Sequence, residues 1–300
     1  MSRSYRATDV TPGRCGQQNG NRDVTGECLL LIRFPSGTGP RRRRSLWWCL
    51  MDPLTAPVSI VLALWAPVPS SHGLSLVQGP DGVHDVIGST TSSSAGGSPG
   101  SSGAEGFEHI GLERWLTGAR PLSRVTAVLP SPADGTGTWG ILPDIEEGVV
   151  VEGAPGKVLL VPEGSGTSVT WRAEPVAGPL PPMDAGHARR QVHAATEEAI
   201  EALIELDLAR ERPEMADTLN DLLTAVMDPR LIPPWLSARN RDLLERSLRL
   251  AGVCELALDD DGAATTALQV RRRSDVLRPL LAVARHGAAA ATEWWAGSRP

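Results

Sequence analysis

The side chains best placed to do chemistry in this 300-residue chain are carboxylates. Glu197, Glu198 and Glu201 are followed, after twelve intervening residues, by Glu214 and Asp217. Residues three and four apart share a helix face, so two facing helices could present these oxygens to one hard cation such as Mg2+. The same spacing is also what a solvated helix face supplies. Glu205, Asp207, Glu211 and Asp221 extend the acidic character without selecting one site, and Pro213 allows the second helix to begin only at that point. The reading therefore assigns no catalytic, cofactor-binding or metal-binding residue. It keeps Glu197, Glu198, Glu201, Glu214 and Asp217, with Mg2+, as the alternative.

Other motifs fail on specific chemistry. The turn of Gly153, Ala154, Pro155, Gly156 and Lys157 suggests a phosphate loop, but Val151 and Val158 stand where such a loop needs Gly and Ser/Thr. It also leads toward a strand, so no helix N-terminus is there to receive an anion. Gly96, Ser98 and Gly100 match G-x-S-x-G, yet Pro99 has no N–H to donate to an oxyanion. Asp259, Asp260, Asp261 and Gly262 are not a calcium loop, because Val270 stands where the bidentate Glu belongs. Each of the six histidines is read as partly exposed. Cys15, Cys28, Cys49 and Cys254 show no ligand spacing, and Cys254 fits an apolar helix pattern as a small core residue.

The pair of segments E-E-x-x-E (residues 197–201) and E-x-x-D (residues 214–217) resembles the all-α nucleoside triphosphate pyrophosphatases, the MazG-like family. That resemblance implies Mg2+-dependent hydrolysis of a nucleoside triphosphate with the five acids as metal ligands. The phosphate-binding lysines of such enzymes have no counterpart in the helices, since Lys157 is the only lysine.

These residues must be carried on elements, and the elements are legible. Val192, Ala195, Ala199, Leu203, Leu206 and Ala209 recur at helical spacing. Leu219, Leu222, Leu223, Val226 and Met227 form a second stripe, and Leu243, Leu244, Leu248, Ala251 and Cys254 a third. A fourth runs through Leu277, Leu280, Leu281, Ala284, Ala288 and Ala291. Pro213, Pro229, Pro233 and Pro234 punctuate the breaks. Antiparallel helices joined by short loops follow. Trp294 and Trp295 close the last helix, either as an end cap or as a partner-binding anchor. Upstream, β-branched runs at 148–152, 157–161 and 167–173, separated by Gly-rich turns, predict a short antiparallel meander. A strand at 125–129 precedes it and a Pro-rich connector at 175–182 follows.

Residues 88–106 are Gly/Ser-rich and read as a disordered linker. Residues 1–50 carry nine Arg against three acids, in a chain whose formal net charge is −6. They read as a disordered or non-native extension, with translation starting at Met51 and residues 58–65 as the first buried helix. The competing reading makes residues 41–69 a membrane anchor or secretion signal. Asp52, Pro53, Pro57 and Pro67 interrupt it, and the clean apolar stretch falls short of the ~20 residues that span a bilayer. Arg239, Arg241, Arg246 and Arg249 on one helix, and Arg271 to Arg273, Arg278 and Arg285 around another, raise nucleic-acid association as a second alternative. Interleaved acids and the lack of aromatic platforms weigh against it.

Taken in order, residues 62–67, 128–134, 161–164, 169–172 and 277–280 look like a group of uncharacterised proteins from high-GC Gram-positive bacteria. The resemblance implies a soluble cytoplasmic product and no particular reaction. The expectation is an α+β protein, with a small α/β portion at 51–182 and a helical bundle at 183–300. Its expected role is non-enzymatic and intracellular, exercised through contacts with a protein partner whose identity, like the oligomeric state, stays open. Membrane association is not expected.

Overall fold

The fold was examined in a computed structural model, which describes residues 54–68, 70–79, 82–88, 109–131, 145–165, 168–206, 213–259 and 267–297. For residues 165, 203, 206, 213–215, 267 and 269 it describes only the backbone. Contacts divide the chain into Met1–Arg44 and Ser45–Pro300, and every described residue lies in the second unit. The expectation for residues 1–50 falls outside the described residues, as does that for the linker at 88–106 apart from Gly88, which ends a strand rather than opening a disordered stretch.

The chain forms α1 (Val58–Trp65), α2 (Ser71–Gln78), β1 (Asp85–Gly88), β2 (Ile110–Gly111), α3 (Leu112–Gly118) and β3 (Arg124–Val128). It continues through β4 (Gly148–Gly153), β5 (Gly156–Ser165) and β6 (Ser168–Pro175). Helices α4 (Ala185–Leu206), α5 (Pro213–Thr224), α6 (Ala238–Asp259) and α7 (Ala267–Thr292) follow, then β7 (Trp294–Trp295). The class is α+β.

The three expected meander strands are present, but they are the middle of a larger object. They belong to a seven-stranded mixed sheet in the order β2-β1-β6-β5-β4-β3-β7. All neighbours pair antiparallel except β1 with β6. The β4–β5 hairpin turns at Ala154 and Pro155, with Gly156 at φ +98°, a conformation that costs a residue without Cβ little. β1 and β2 are too short to show a period in the sequence. Trp294 and Trp295 are a further correction: α7 stops at Thr292, and the two tryptophans pair as a strand with β3.

Alternation along the strands gives the sheet two apolar faces. Val125, Val149, Val151, Leu160 and Trp171 belong to the main core with α1, α4, α6 and α7. Val128, Val150, Leu159 and Val161 face the other way and are covered by Val176 and Leu180 of the Pro-rich connector. The sequence divides the chain at 182/183, but the main core is continuous from Leu54 through Ala291. Helix α1 is buried along nearly its whole circumference, as a helix apolar at every position but Ser59 must be. Trp65 Nε1 donates to the Leu231 carbonyl at 3.1 Å and Trp235 Nε1 to the Leu64 carbonyl at 2.9 Å. These two indoles tie α1 to the segment between α5 and α6.

Helices α4, α6 and α7 pack tightly on one another. A Cβ on Gly287 of α7 would lie 2.5 Å from both Ser247 Oγ of α6 and Val192 Cγ2 of α4. Only glycine allows the three backbones to approach this closely. The Thr292 hydroxyl accepts from the backbone N–H of Ala127 at 3.0 Å, which seats the end of α7 on β3.

The join between sheet and helices is polar. Arg124 of β3 is 1 % exposed. Its guanidinium meets Glu293 Oε1 at 2.7 Å and donates to the Leu180 and Pro181 carbonyls at 2.9 Å each. Trp295 stacks over it at 4.7 Å. Glu293 in turn accepts from the backbone N–H of Met183 at 2.6 Å. Removing one partner of a buried pair leaves the other charge stranded, at a cost of about 3–5 kcal/mol. Arg124→Met is expected to lower unfolding stability by about that amount in urea titration, and adding Glu293→Gln should recover part of it. A loss below about 1 kcal/mol, the range of an exposed pair, would show that the join is held elsewhere.

Candidate functional site

Helical periodicity carries the sequence-predicted carboxylates, and it places them outward. On α4 the buried stripe is Ala188, Val192, Ala195, Ala199 and Ala202. Glu197, Glu198 and Glu201 fall between those positions and are exposed, as is Asp217 on α5. Glu214 is the second residue of α5, and its side chain lies outside the described set. Among the described residues, no three His, Cys, Asp or Glu side chains gather where they could hold a metal ion.

Several basic side chains have internal partners. Arg241 and Arg249 meet Glu245 at 3.0 and 3.5 Å, and Arg246 meets Asp242 at 3.0 Å. Arg285 bridges Glu255 at 3.0 Å and the Pro130 carbonyl at 2.9 Å. Lys157 donates to the Gly178 carbonyl at 2.6 Å, so the turn that suggested a phosphate loop is a hairpin whose lysine pins the connector. No helix among the described residues is long and apolar enough to cross a membrane.

The buried polar groups serve the architecture. His84, read from the sequence as partly exposed, is 1 % exposed. Its Nδ1 accepts from Trp171 Nε1 at 3.2 Å, and its carbonyl accepts from Leu112 N–H at 2.8 Å. It thus joins β6 to the start of α3. A single buried histidine beside a loop carries no periodic signal, so the sequence does not reveal it. Cys254 is buried in α6, and burial pushes its thiol up to about 12. It is a packing residue rather than a nucleophile. A cleft between α1, α2 and α3 is lined by Trp65, Leu74, Val77, Leu116 and Arg120 among others. Arg120 is already engaged there, donating to the Ala66 carbonyl at 2.9 Å.

Glu147 is a carboxylate enclosed beside the first turn of α1. Its Oε2 accepts from Ser59 N–H at 3.0 Å, at the first turn of α1. The residue keeps some surface, but the carboxylate itself is enclosed. Desolvation holds its pKa above the ordinary 4.5, against the hydrogen bonding from Ser59 and the nearby Arg285 cation.

What remains toward solvent is apolar where it should be polar. Ile200 and Ile204 on α4 are 52 % and 75 % exposed, and Leu268 on α7 is 76 % exposed. Leu223 and Val226, at and just beyond the end of α5, are exposed as well. Isolated exposed aliphatics are ordinary. Ile200 and Ile204, however, are one turn apart on one face, and a Glu205–Arg272 ion pair draws that end of α4 to the beginning of α7.

Two measurements test these assignments. A carboxyl whose pKa rises on folding keeps its proton in the folded chain where the unfolded chain has lost it. Stability is then lost as pH rises from 4.5 through the folded value. Urea midpoints should show this slope in the native protein and a flatter one in Glu147→Gln; equal slopes would remove the assignment. Thiol labelling followed by peptide mapping should leave Cys254 unmodified until the protein unfolds. Rapid labelling in the folded state would contradict its burial.

Comparison with known proteins bears on the helical part. No curated protein and no solved structure matches the chain. Residues 186–289, roughly a third of the chain and spanning α4 into α7, match the family model described as Rv1486c-like protein, C-terminal domain.

Proposed function

We propose that this chain is a non-enzymatic intracellular protein that works by contact with another protein, through the outer surfaces of α4 and α7. The observation that carries the reading is the exposure of Ile200, Ile204 and Leu268 at the joined ends of these two helices. Exposed aliphatic area of this kind costs solvation free energy, at about 25 cal/mol per Å². Covering it with a partner recovers that cost. The surrounding Glu197, Glu201, Arg271 and Arg272 supply the polar rim of such a surface.

The buried polar groups support the same reading, because Arg124, His84 and Cys254 are each enclosed within the architecture. Nothing among the described residues adds support to the pyrophosphatase alternative, since Glu197, Glu198, Glu201 and Asp217 are each exposed and form no described metal-binding group.

The test is affinity purification of the full chain from its native host beside an Ile204→Arg bait. The expected outcome is a specific protein retained by the native bait and lost from the variant. Identical recoveries from the two baits would overturn the assignment of this surface.

A further inference from the structure

We propose that the outer faces of α4 and α7 are complementary to each other across a two-fold axis, so that the partner is a second copy of this chain. This inference rests on the contact surface proposed above and names its occupant.

Met183, just before α4, is held by Glu293, just after α7, while Glu205 near the end of α4 meets Arg272 near the start of α7. The two helices therefore lie antiparallel and side by side. Their charges are opposite. The second half of α4 carries Glu197, Glu198, Glu201 and Glu205 and no basic residue, all four exposed around Ile200 and Ile204. The first half of α7 exposes Arg271, Arg272 and Arg278, with Asp275 as the single exposed acid, beside Leu268.

Symmetry then decides among the possible pairings. A two-fold axis makes every contact twice, since residue i of one copy meets j of the other and j meets i. Laying α4 on α4 would oppose eight carboxylates in like-charge contact. Laying α4 of one copy on α7 of the other sets glutamates against arginines in both halves, with Ile204 and Leu268 closing the apolar centre. Within one copy Glu205 and Arg272 already pair with each other, so Glu198, Glu201, Arg271 and Arg278 supply the charged contacts between copies.

Size sets the strength. Ten residues of helix are ~15 Å long. Two such stretches per copy give an interface at the small end of stable assemblies. The expected dimer is reversible and weakened by salt, because its charges stay near the rim.

Sedimentation velocity on the full chain, from low to high micromolar concentration and at low and high salt, is the test. The expected result is a mass that rises from one chain toward two with concentration and falls back with salt. Ile204→Arg should weaken association by roughly tenfold or more, the scale of one lost apolar contact. Glu201→Arg and Arg271→Glu should each weaken it, and the two together should restore it, which a folding defect would not allow. Mass of one chain throughout, or a dimer indifferent to all three substitutions, overturns the proposal. If the mass stays at one chain while an Ile204-dependent partner is still captured from the host, self-pairing falls and the contact reading stands. If neither appears, both fall.

Discussion

A buried arginine needs close acceptors for its charge, and that requirement organises this molecule. An ion of this size removed from water loses many kcal/mol of solvation, and only close acceptors restore it. Arg124 finds them in three stretches of chain: the Glu293 carboxylate after α7, the Leu180 and Pro181 carbonyls of the connector, and Glu152 of β4 at 3.6 Å. Register extends the arrangement into a row. Trp295, Arg124, Glu152 and Lys157 sit opposite one another across β7, β3, β4 and β5. The row faces the connector, and Arg124 and Lys157 each hold its carbonyls. The entry to α4 and the exit from α7 are thereby fixed to one end of the sheet.

Once these two ends are fixed, packing follows. The main core runs without a break from α1 across the inner face of the sheet into α4, α6 and α7. Gly287 sets how closely the three helices meet, and Thr292 sets where the last one lands on β3. The smaller cluster on the opposite face is closed by Leu180 and Val176, carried on the stretch that Arg124 and Lys157 hold down. Polar burial and apolar burial are therefore coupled: the connector covers its cluster because the charged row binds its backbone.

The same economy shapes the functional reading. Among the described residues, His84 is enclosed against Trp171 and Cys254 within α6. The surface left over is a helical one, acidic with an aliphatic stripe on α4 and basic with a leucine on α7. On the reading proposed above, a surface of that composition serves to recognise shape and charge in another protein. The region with a family match is this same helical part.

The sequence by itself determined the elements whose period is long or whose residues are strongly biased. The stripes of α4, α6 and α7, the valine run of β4 and the mostly apolar α1 are local patterns that burial enforces, whereas the α5 stripe holds only in part, with Leu222 and Met227 buried but Leu223 and Val226 exposed. It also placed the glutamates of α4 correctly between the buried positions, without deciding whether a second helix would face them. The tertiary structure decided what no local pattern encodes. It brought β1 beside β6 and the two tryptophans beside β3, because pairing depends on partners far away in the chain. It buried Arg124 and His84, residues whose types usually signal surface, because their partners Glu293 and Trp171 lie 169 and 87 positions away. The physical reason is common to all of these: periodicity reports which face of an element is dry, while the identity of the group that meets it is set only when distant segments close together.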